Sequence, residues 1–238
     1  MVTASINFIT PMEEKPTYHM DPPSGVPEEN MSYEAHVVSI DDMRAITPPP
    51  SLDLEGFSLL FHQTSVSNFY DVESITTVYY REIEFLIKDA TSANKVVAFD
   101  WNIRSSGTHG SLAGTPAKGT NSRDSQVNPE SVHAPVRSAH NDYTNKSGPQ
   151  RVIDVMGTYN ARSLLQTRYA IINVWKPIRG PVSEVPLAVC DARTIGPGQL
   201  LDSDIIYTDR TGEVSMLTYS TGQQWYYVPE MLSTEVLL

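Results

Sequence analysis

His140, Asn141 and Asp142 place an imidazole and a carboxylate two residues apart. In an extended strand, residues i and i+2 point to the same face. Both groups can then grip one metal ion. The combination is two-thirds of a 2-His-1-carboxylate facial triad, a ligand set that leaves positions open on ferrous iron for a cosubstrate and O₂. His-x-Asp by itself is a weak signal, and a loop pair without metal is its plainer reading. The histidines are His19, His36, His62, His109, His133 and His140, and none follows His140. A third ligand from later in the chain would have to be a carboxylate such as Asp191, Asp202 or Glu230. His133 with His140 and Asp142 is an alternative ligand set, although His133 falls in a presumed loop. His109, in Thr108-His109-Gly110, reads as a plain loop residue.

Other chemistries find less support. The stretch Gly114 to Thr120 partly resembles a P-loop through Lys118 and Gly119, but it lacks the Gly-x-x-x-x-Gly-Lys-Ser/Thr order and no strand leads into it. No Gly-x-Ser-x-Gly elbow exists for a serine hydrolase. Trp175, Tyr169, Trp225, Tyr226 and Tyr227 cluster late in the chain, where aromatics serve a sheet core or line a pocket for a bulky apolar ligand.

The elements that must position these groups are legible in part. Val72, Ile75, Tyr79, Ile83 and Leu86 repeat at three- and four-residue steps and predict a helix over 68–89. Ser67 or Asn68 would cap it, and Glu84 with Lys88 would pair along it. A second helix is expected at 150–166, with Val152, Val155, Met156 and Tyr159 on one side. Short strands are expected at 57–61, 95–99, 169–174, 187–190, 205–207, 216–219, 225–228 and 235–238. Thr211-Gly212-Glu213 and Thr221-Gly222-Gln223 look like hairpin turns. Two helices and then a run of strands imply an α+β, mainly β fold, a jelly roll with flanking helices. Residues 105–131 are rich in Gly, Ser, Thr and Asn and read as a long loop. Residues 1–50 carry Pro11, Pro16, Pro22, Pro23, Pro27 and Pro48 to Pro50, so they are expected to form an extended N-terminal arm, with the domain proper at 51–238. Glu235 to Leu238 reads as the middle of a strand, which suggests a fragment or an early stop. An open strand there would invite a second copy or a homologous chain to pair with it, as a homo- or heterodimer.

Composition sets the outer limits. The chain has 238 residues, 40% of them hydrophobic, with a formal charge of −11. That acidity argues against nucleic-acid binding through phosphate contacts. A lone cysteine, Cys190, leaves no intrachain disulfide or Cys-rich zinc site. No run approaches the ~18 apolar residues of a membrane span, and Met1 to Pro16 lacks the features of a secretory signal. The expectation is a cytoplasmic protein. The charge is uneven: residues 101–180 hold ten bases and four acids. Those bases either pair with the acidic flanks or line a cavity for an anionic substrate or cosubstrate.

At 168–195 the chain reads Arg168-Tyr-Ala-Ile-Ile-Asn173-Val-Trp175-Lys-Pro177, then Val185-Pro186-Leu-Ala-Val-Cys-Asp191-Ala-Arg193. This closely resembles the fungal hydroxylase/desaturase group related to gibberellin desaturases, cephamycin methoxylation proteins and meroterpenoid endoperoxidases. Asn68-Phe-Tyr-Asp71, Val78-Tyr-Tyr-Arg-Glu82, Ala98-Phe-Asp-Trp-Asn-Ile-Arg104 and Gln224-Trp225-Tyr-Tyr-Val-Pro-Glu-Met231 extend the likeness over nearly the whole chain.

The resemblance implies a double-stranded β-helix that binds Fe(II) and 2-oxoglutarate and uses O₂ to oxidise an unactivated C–H bond of a small apolar metabolite. By position it assigns His140 and Asp142 to the metal, and Arg168, Asn173 and Trp175 to the cosubstrate side. Lys176 stands where the group usually has arginine, which keeps the charge and loses the bidentate fork. The group carries its distal histidine and a cosubstrate arginine beyond the stretch matched by the last residues here, so 51–238 reads as C-terminally incomplete. Two functions follow: an Fe(II)/2-oxoglutarate-dependent oxygenase of specialised metabolism, or a non-catalytic paralogue that binds a ligand or partners an active homologue.

Overall fold

The computed structural model describes residues 1–106 and 132–238. Most of the loop expected over 105–131, including His109 and the Gly114–Thr120 stretch, lies outside the described residues.

The first fifty residues are built into the β-structure, not laid over it. Strand β1 (Val2–Ile9) pairs antiparallel with β3 (Tyr33–Asp42), from Val2 opposite Ile40 to Ile9 opposite Tyr33. Strand β3 has the two-residue period of a half-buried strand: Val38 and Ile40 are buried while Val37 is 72% exposed. Its other edge takes β11 (Trp225–Tyr227) in parallel, and β11 takes β8 (Ala188–Cys190) antiparallel. The expected arm thus supplies two strands of one four-stranded sheet. Its prolines at 11, 16, 22, 23 and 27 fall outside β1, β3 and the short β2 (Thr17–His19), where they interrupt no ladder.

The second sheet has the order β2, β9 (Leu200–Ile206), β10 (Thr211–Leu217), β7 (His140–Asn141). The turn between β9 and β10 is closed by the Tyr207 N–H donating to the Arg210 carbonyl at 2.8 Å. Thr211-Gly212-Glu213, expected as that turn, is strand. Thr221-Gly222-Gln223 does form a turn, but it joins strands of different sheets. Residues 137–141 stitch the sheets together. Ala139 N–H donates to Asn7 on β1 at 2.9 Å, and the Ala139 carbonyl accepts from Leu217 on β10 at 3.0 Å. The β-structure therefore curls around a core of Phe8, Val38, Ile40, Ala139, Leu217 and Trp225. Phe8 meets the Trp225 ring edge-on at 5.9 Å.

A third ladder pairs β4 (Leu59–Phe61) with β12 (Glu235–Leu237). The far side of β12 is also taken, because Trp175 and Leu237 exchange two backbone hydrogen bonds of 2.8 and 2.9 Å. The open edge expected for this strand is therefore occupied at Leu237. Ile83 and Ile87 pack from a helix onto Val236 and Leu238. That helix enters at α1 (Val72–Ser74), capped by Asp71 and not by Ser67 or Asn68. It passes through a π turn (Ile75–Tyr79) and continues as α2 (Tyr80–Thr91). Glu84 does not pair with Lys88; its carboxylate accepts the Ala98 N–H at 2.9 Å. Two further expectations fail: 95–99 and 169–174 lie outside any sheet. Helix α3 (Ser147–Leu164) is interrupted at Gly157, whose φ of +74° breaks the helical phase. Tyr159, expected on the packed face, is 93% exposed as a result.

Two small β-strands, β5 (Ile103–Arg104) and β6 (Val132–His133), pair in parallel. Among the described residues no helix is long and apolar enough to cross a membrane.

Candidate metal centre

The His-x-Asp segment sits where the two sheets meet. Strand β7 places His140 opposite Met216 and Asn141 opposite Ser215 on β10. The ladder ends there, and the chain bends at Asp142. The Asn141 side chain donates to the Tyr143 carbonyl at 2.7 Å, which stabilises the bend. His140 and Asp142 converge: Nε2 of the ring lies 3.3 Å from Oδ1 of the carboxylate. Their side chains keep 29% and 45% exposure, so both remain within reach of a ligand.

The other ring nitrogen is committed. His140 Nδ1 lies 2.8 Å from the Ser138 carbonyl oxygen, an atom that only accepts. Nδ1 therefore carries a proton, and in the neutral ring the lone pair is on Nε2, facing Asp142. Burial disfavours charge on His140, but the hydrogen bond and charge of Asp142 outweigh it and raise the imidazolium pKa. Burial likewise disfavours ionised Asp142. The His140 ring, the Asn173 amide and the Arg104 charge outweigh that and hold the carboxylate below its ordinary value. Asn173 Nδ2 donates to Asp142 Oδ2 at 2.6 Å.

This donor set fits a ferrous ion as two of three protein ligands. Two ligand atoms about 2.1 Å from one ion and at right angles stand roughly 3 Å apart, close to the observed separation of Nε2 and Oδ1. A buried carbonyl holding Nδ1 is the usual outer support of a metal-bound histidine. Among the described residues no group of three or more His, Cys, Asp or Glu side chains is placed to hold an ion. Asp191, weighed as a substitute, is 1% exposed and tied to Arg193. Asp202 accepts from Ser215. Glu230 is in neither hydrogen bond nor ion pair with the pair. His133 lies on β6, where burial and the neighbouring Arg104 charge lower its pKa.

Of the residues assigned to the cosubstrate side, the structure brings only Asn173 to the pair. Arg168 is 80% exposed and pairs with Asp53. Trp175 packs beside Met43, Phe57 and Leu237. Lys176 donates to the carbonyls of His62, at 2.7 Å, and Ser233, clipping the loop before β12. Sequence reasoning missed Arg104, whose guanidinium donates to the Ala134 carbonyl at 2.8 Å and acts electrostatically on both His140 and Asp142. It also missed Arg151, whose guanidinium carbon lies 5.6 Å from the Phe99 ring centre and 5.8 Å from that of Tyr143, within cation–π range of both. Arg104 had a signal in the Ala98–Arg104 stretch of the resemblance, with no role attached; Arg151 had only the surplus of bases in 101–180, part of which pairs with acids elsewhere, as Lys146 does with Glu213.

Asp142 and Asn173 border a pocket of about 330 Å³ together with Tyr143, Gly148 and Tyr169. The pair also opens on a continuous cleft of about 3340 Å³. That is well above the ~1,000 Å³ of a large small-molecule site, so side-chain chemistry and not volume locates the centre.

A family profile described as "Oxidoreductase/YMDC permease-like domain" matches residues 6–238. The hydroxylase/desaturase efuI of Hormonema carpetanum is 29% identical over 219 residues, covering 87% of this chain and 72% of its own length. The alpha-ketoglutarate-dependent dioxygenase phiK of a fungal species is 31% identical over 208 residues, covering 84% and 68%. The solved structure of the iron and alpha-ketoglutarate-dependent endoperoxidase NvfI superposes with a TM-score of 0.83 at 25% identity, covering 99% of this chain and 82% of that one. The 238 residues thus belong to the oxidoreductase family that the profile describes, the group of these fungal hydroxylase/desaturases and alpha-ketoglutarate-dependent oxygenases.

Proposed function

We propose that this chain is a non-haem Fe(II)/2-oxoglutarate-dependent oxygenase of the hydroxylase/desaturase kind, acting on a small apolar metabolite. The observation that carries the reading is the convergence of His140 Nε2 and Asp142 Oδ1 at 3.3 Å with the other ring nitrogen held by Ser138. The curled sheets and the likeness to the endoperoxidase support reading the fold as a double-stranded β-helix.

His140 and Asp142 would hold the iron as two of its protein ligands. When bound, the metal supplies the O₂ activation, coupled to decarboxylation of 2-oxoglutarate, that amino-acid side chains lack. The chain's own part is positioning and polarity. Ser138 fixes the ring tautomer, and Asn173 fixes the carboxylate. The Arg104 charge beside the pair favours an anionic cosubstrate. Tyr143 and Tyr169 stand on the wall of the adjoining pocket, where their rings would flank a bound metabolite.

The test is anaerobic Fe(II) titration of the purified chain, its His140→Ala and its Asp142→Ala variants, followed by succinate formation from 2-oxoglutarate in air. Each substitution should weaken Fe(II) binding by more than about tenfold. Unchanged iron affinity in His140→Ala removes the assignment. Tight iron binding without succinate favours the ligand-binding paralogue.

A further inference from the structure

Glu213 is a buried carboxylate that the proposed chemistry does not use. It sits on β10, three positions from the residue that pairs with His140, with its side chain 7% exposed. Its two oxygens have different partners. Oε1 accepts the Thr144 hydroxyl at 2.5 Å, and Oε2 accepts Lys15 Nζ at 2.7 Å. Lys146 Nζ stands at 3.7 Å. Burial works against its charge, and the Lys15 and Thr144 hydrogen bonds outweigh that.

Thr144 follows Asp142 by two residues and opens helix α3. Its Oγ1 accepts the backbone N–H of Lys146 at 3.1 Å and of Ser147 at 3.0 Å. Ser147 Oγ accepts the Thr144 N–H at 2.9 Å in return. A hydroxyl has one proton and two acceptor sites. With both acceptor sites filled by amides, its proton goes to the nearer of two acceptors, Glu213 Oε1 at 2.5 Å against Ser147 Oγ at 3.4 Å. The turn that ends the His-x-Asp segment therefore keeps its short, charge-assisted hydrogen bond only while an acceptor stands at Glu213 Oε1, and falls back on the long contact to Ser147 without it.

We infer that Glu213 is a positioning residue for the His140–Asp142 pair, acting through the Thr144 hydroxyl. The required feature is the acceptor oxygen and not the charge. The Lys15 ion pair keeps the carboxylate tolerable in the interior, and Lys15, 43% exposed, keeps its second ion pair, with Asp204 at 2.5 Å, if the one with Glu213 is lost. The role of the turn in metal binding rests on the iron-site reading; the positioning itself does not.

The experiment compares Glu213→Ala, Glu213→Gln, Thr144→Val and Lys15→Met in the full chain. Amide hydrogen exchange of the metal-free protein reads the turn directly. In Glu213→Ala and Thr144→Val, exchange of residues 141–147 should rise by about tenfold or more while that of β3 stays unchanged. Glu213→Gln keeps the acceptor, and Lys15→Met keeps both; both should leave 141–147 protected. Anaerobic Fe(II) titration should follow the same split, with affinity about tenfold lower only in the first two variants. Equal loss of protection in Glu213→Gln and Glu213→Ala overturns the inference, because the charge would then be the operative feature. Exchange that rises everywhere overturns it too, as that marks a general structural role. If exchange splits as expected and no variant, wild type included, takes up Fe(II), the positioning stands and the iron reading falls.

Discussion

Asn173 donates its amide to Asp142 Oδ2 at 2.6 Å, which leaves Oδ1 as the oxygen turned toward the His140 ring. The two residues are 31 apart in sequence, and neither is in regular sheet. A free aspartate rotates about its last torsion and exchanges its oxygens. The amide removes that freedom and assigns each oxygen one task.

Asn173→Ala should therefore weaken Fe(II) binding by about tenfold without unfolding the protein, the usual consequence of losing an outer hydrogen bond to a ligand. Anaerobic calorimetry with parallel thermal melts checks it. Asn173→Ala binding iron like the wild type would mean that Asp142 is oriented by something else.

Phe8 is 0% exposed and lies in the core shared by both sheets. If residues 1–50 only draped over a finished domain, truncating it would cost little. The structure predicts that Phe8→Ala loses about 3–5 kcal/mol of unfolding free energy, the range for a large core aromatic. Urea unfolding followed by tryptophan fluorescence reports it, since Trp225 is in ring contact with Phe8.

What the sequence made legible follows from how local each signal is. The Val72, Ile75, Tyr79, Ile83 and Leu86 stripe and the strands expected at 187–190, 225–228 and 235–238 declare themselves within a few residues, and each has its counterpart, the strands at 188–190, 225–227 and 235–237. The His140–Asp142 convergence was also local, at two-residue spacing. Strand β3 was not, because its worth comes from pairing with β11, whose Trp225 meets Ile40 from the far end of the chain. Glu213 was hidden for a different reason: Thr-Gly-Glu has turn chemistry, but its cross-strand pairing with Asp204 overrides it. Asn173 could be placed by resemblance only, since no periodicity ties it to Asp142.

Asp191 is 1% exposed and takes three hydrogen bonds from the Arg193 side chain, the shortest 2.6 Å, and one from its backbone N–H. Arg193 also meets Glu55 at 2.8 Å. The Arg193 side chain is the main reason that Asp191 titrates below its ordinary value, against the opposing effect of burial. A carboxyl with a lowered folded pKa adds stability that is complete above its unfolded pKa of about 3.9 and is lost as pH falls through the folded value. In Arg193→Met only burial and the backbone donor remain, and burial favours the protonated acid. The variant's deficit against wild type should be largest near neutral pH and shrink toward about pH 3. Urea midpoints across that range decide it, and a deficit independent of pH would show that Arg193 acts by packing alone.

Gly180 faces the Leu232–Ser233 peptide, next to the Ser233 carbonyl that Lys176 holds. A Cβ at Gly180 would stand 2.7 Å from the Ser233 nitrogen and 3.1 Å from the Leu232 Cα, both backbone atoms. Relief would require that peptide to retreat, yet the next one is held: the Ser233 carbonyl is bound by the Lys176 ammonium, which also bonds the His62 carbonyl beside β4. Gly180→Ala should therefore destabilise by about 1–3 kcal/mol, the usual cost of overpacking. Lys176→Met removes the restraint, so the double variant should lose less than the two single losses combined, the mark of coupled neighbours. Strict additivity in urea unfolding would mean that the loop moves freely and that Lys176 does not hold it.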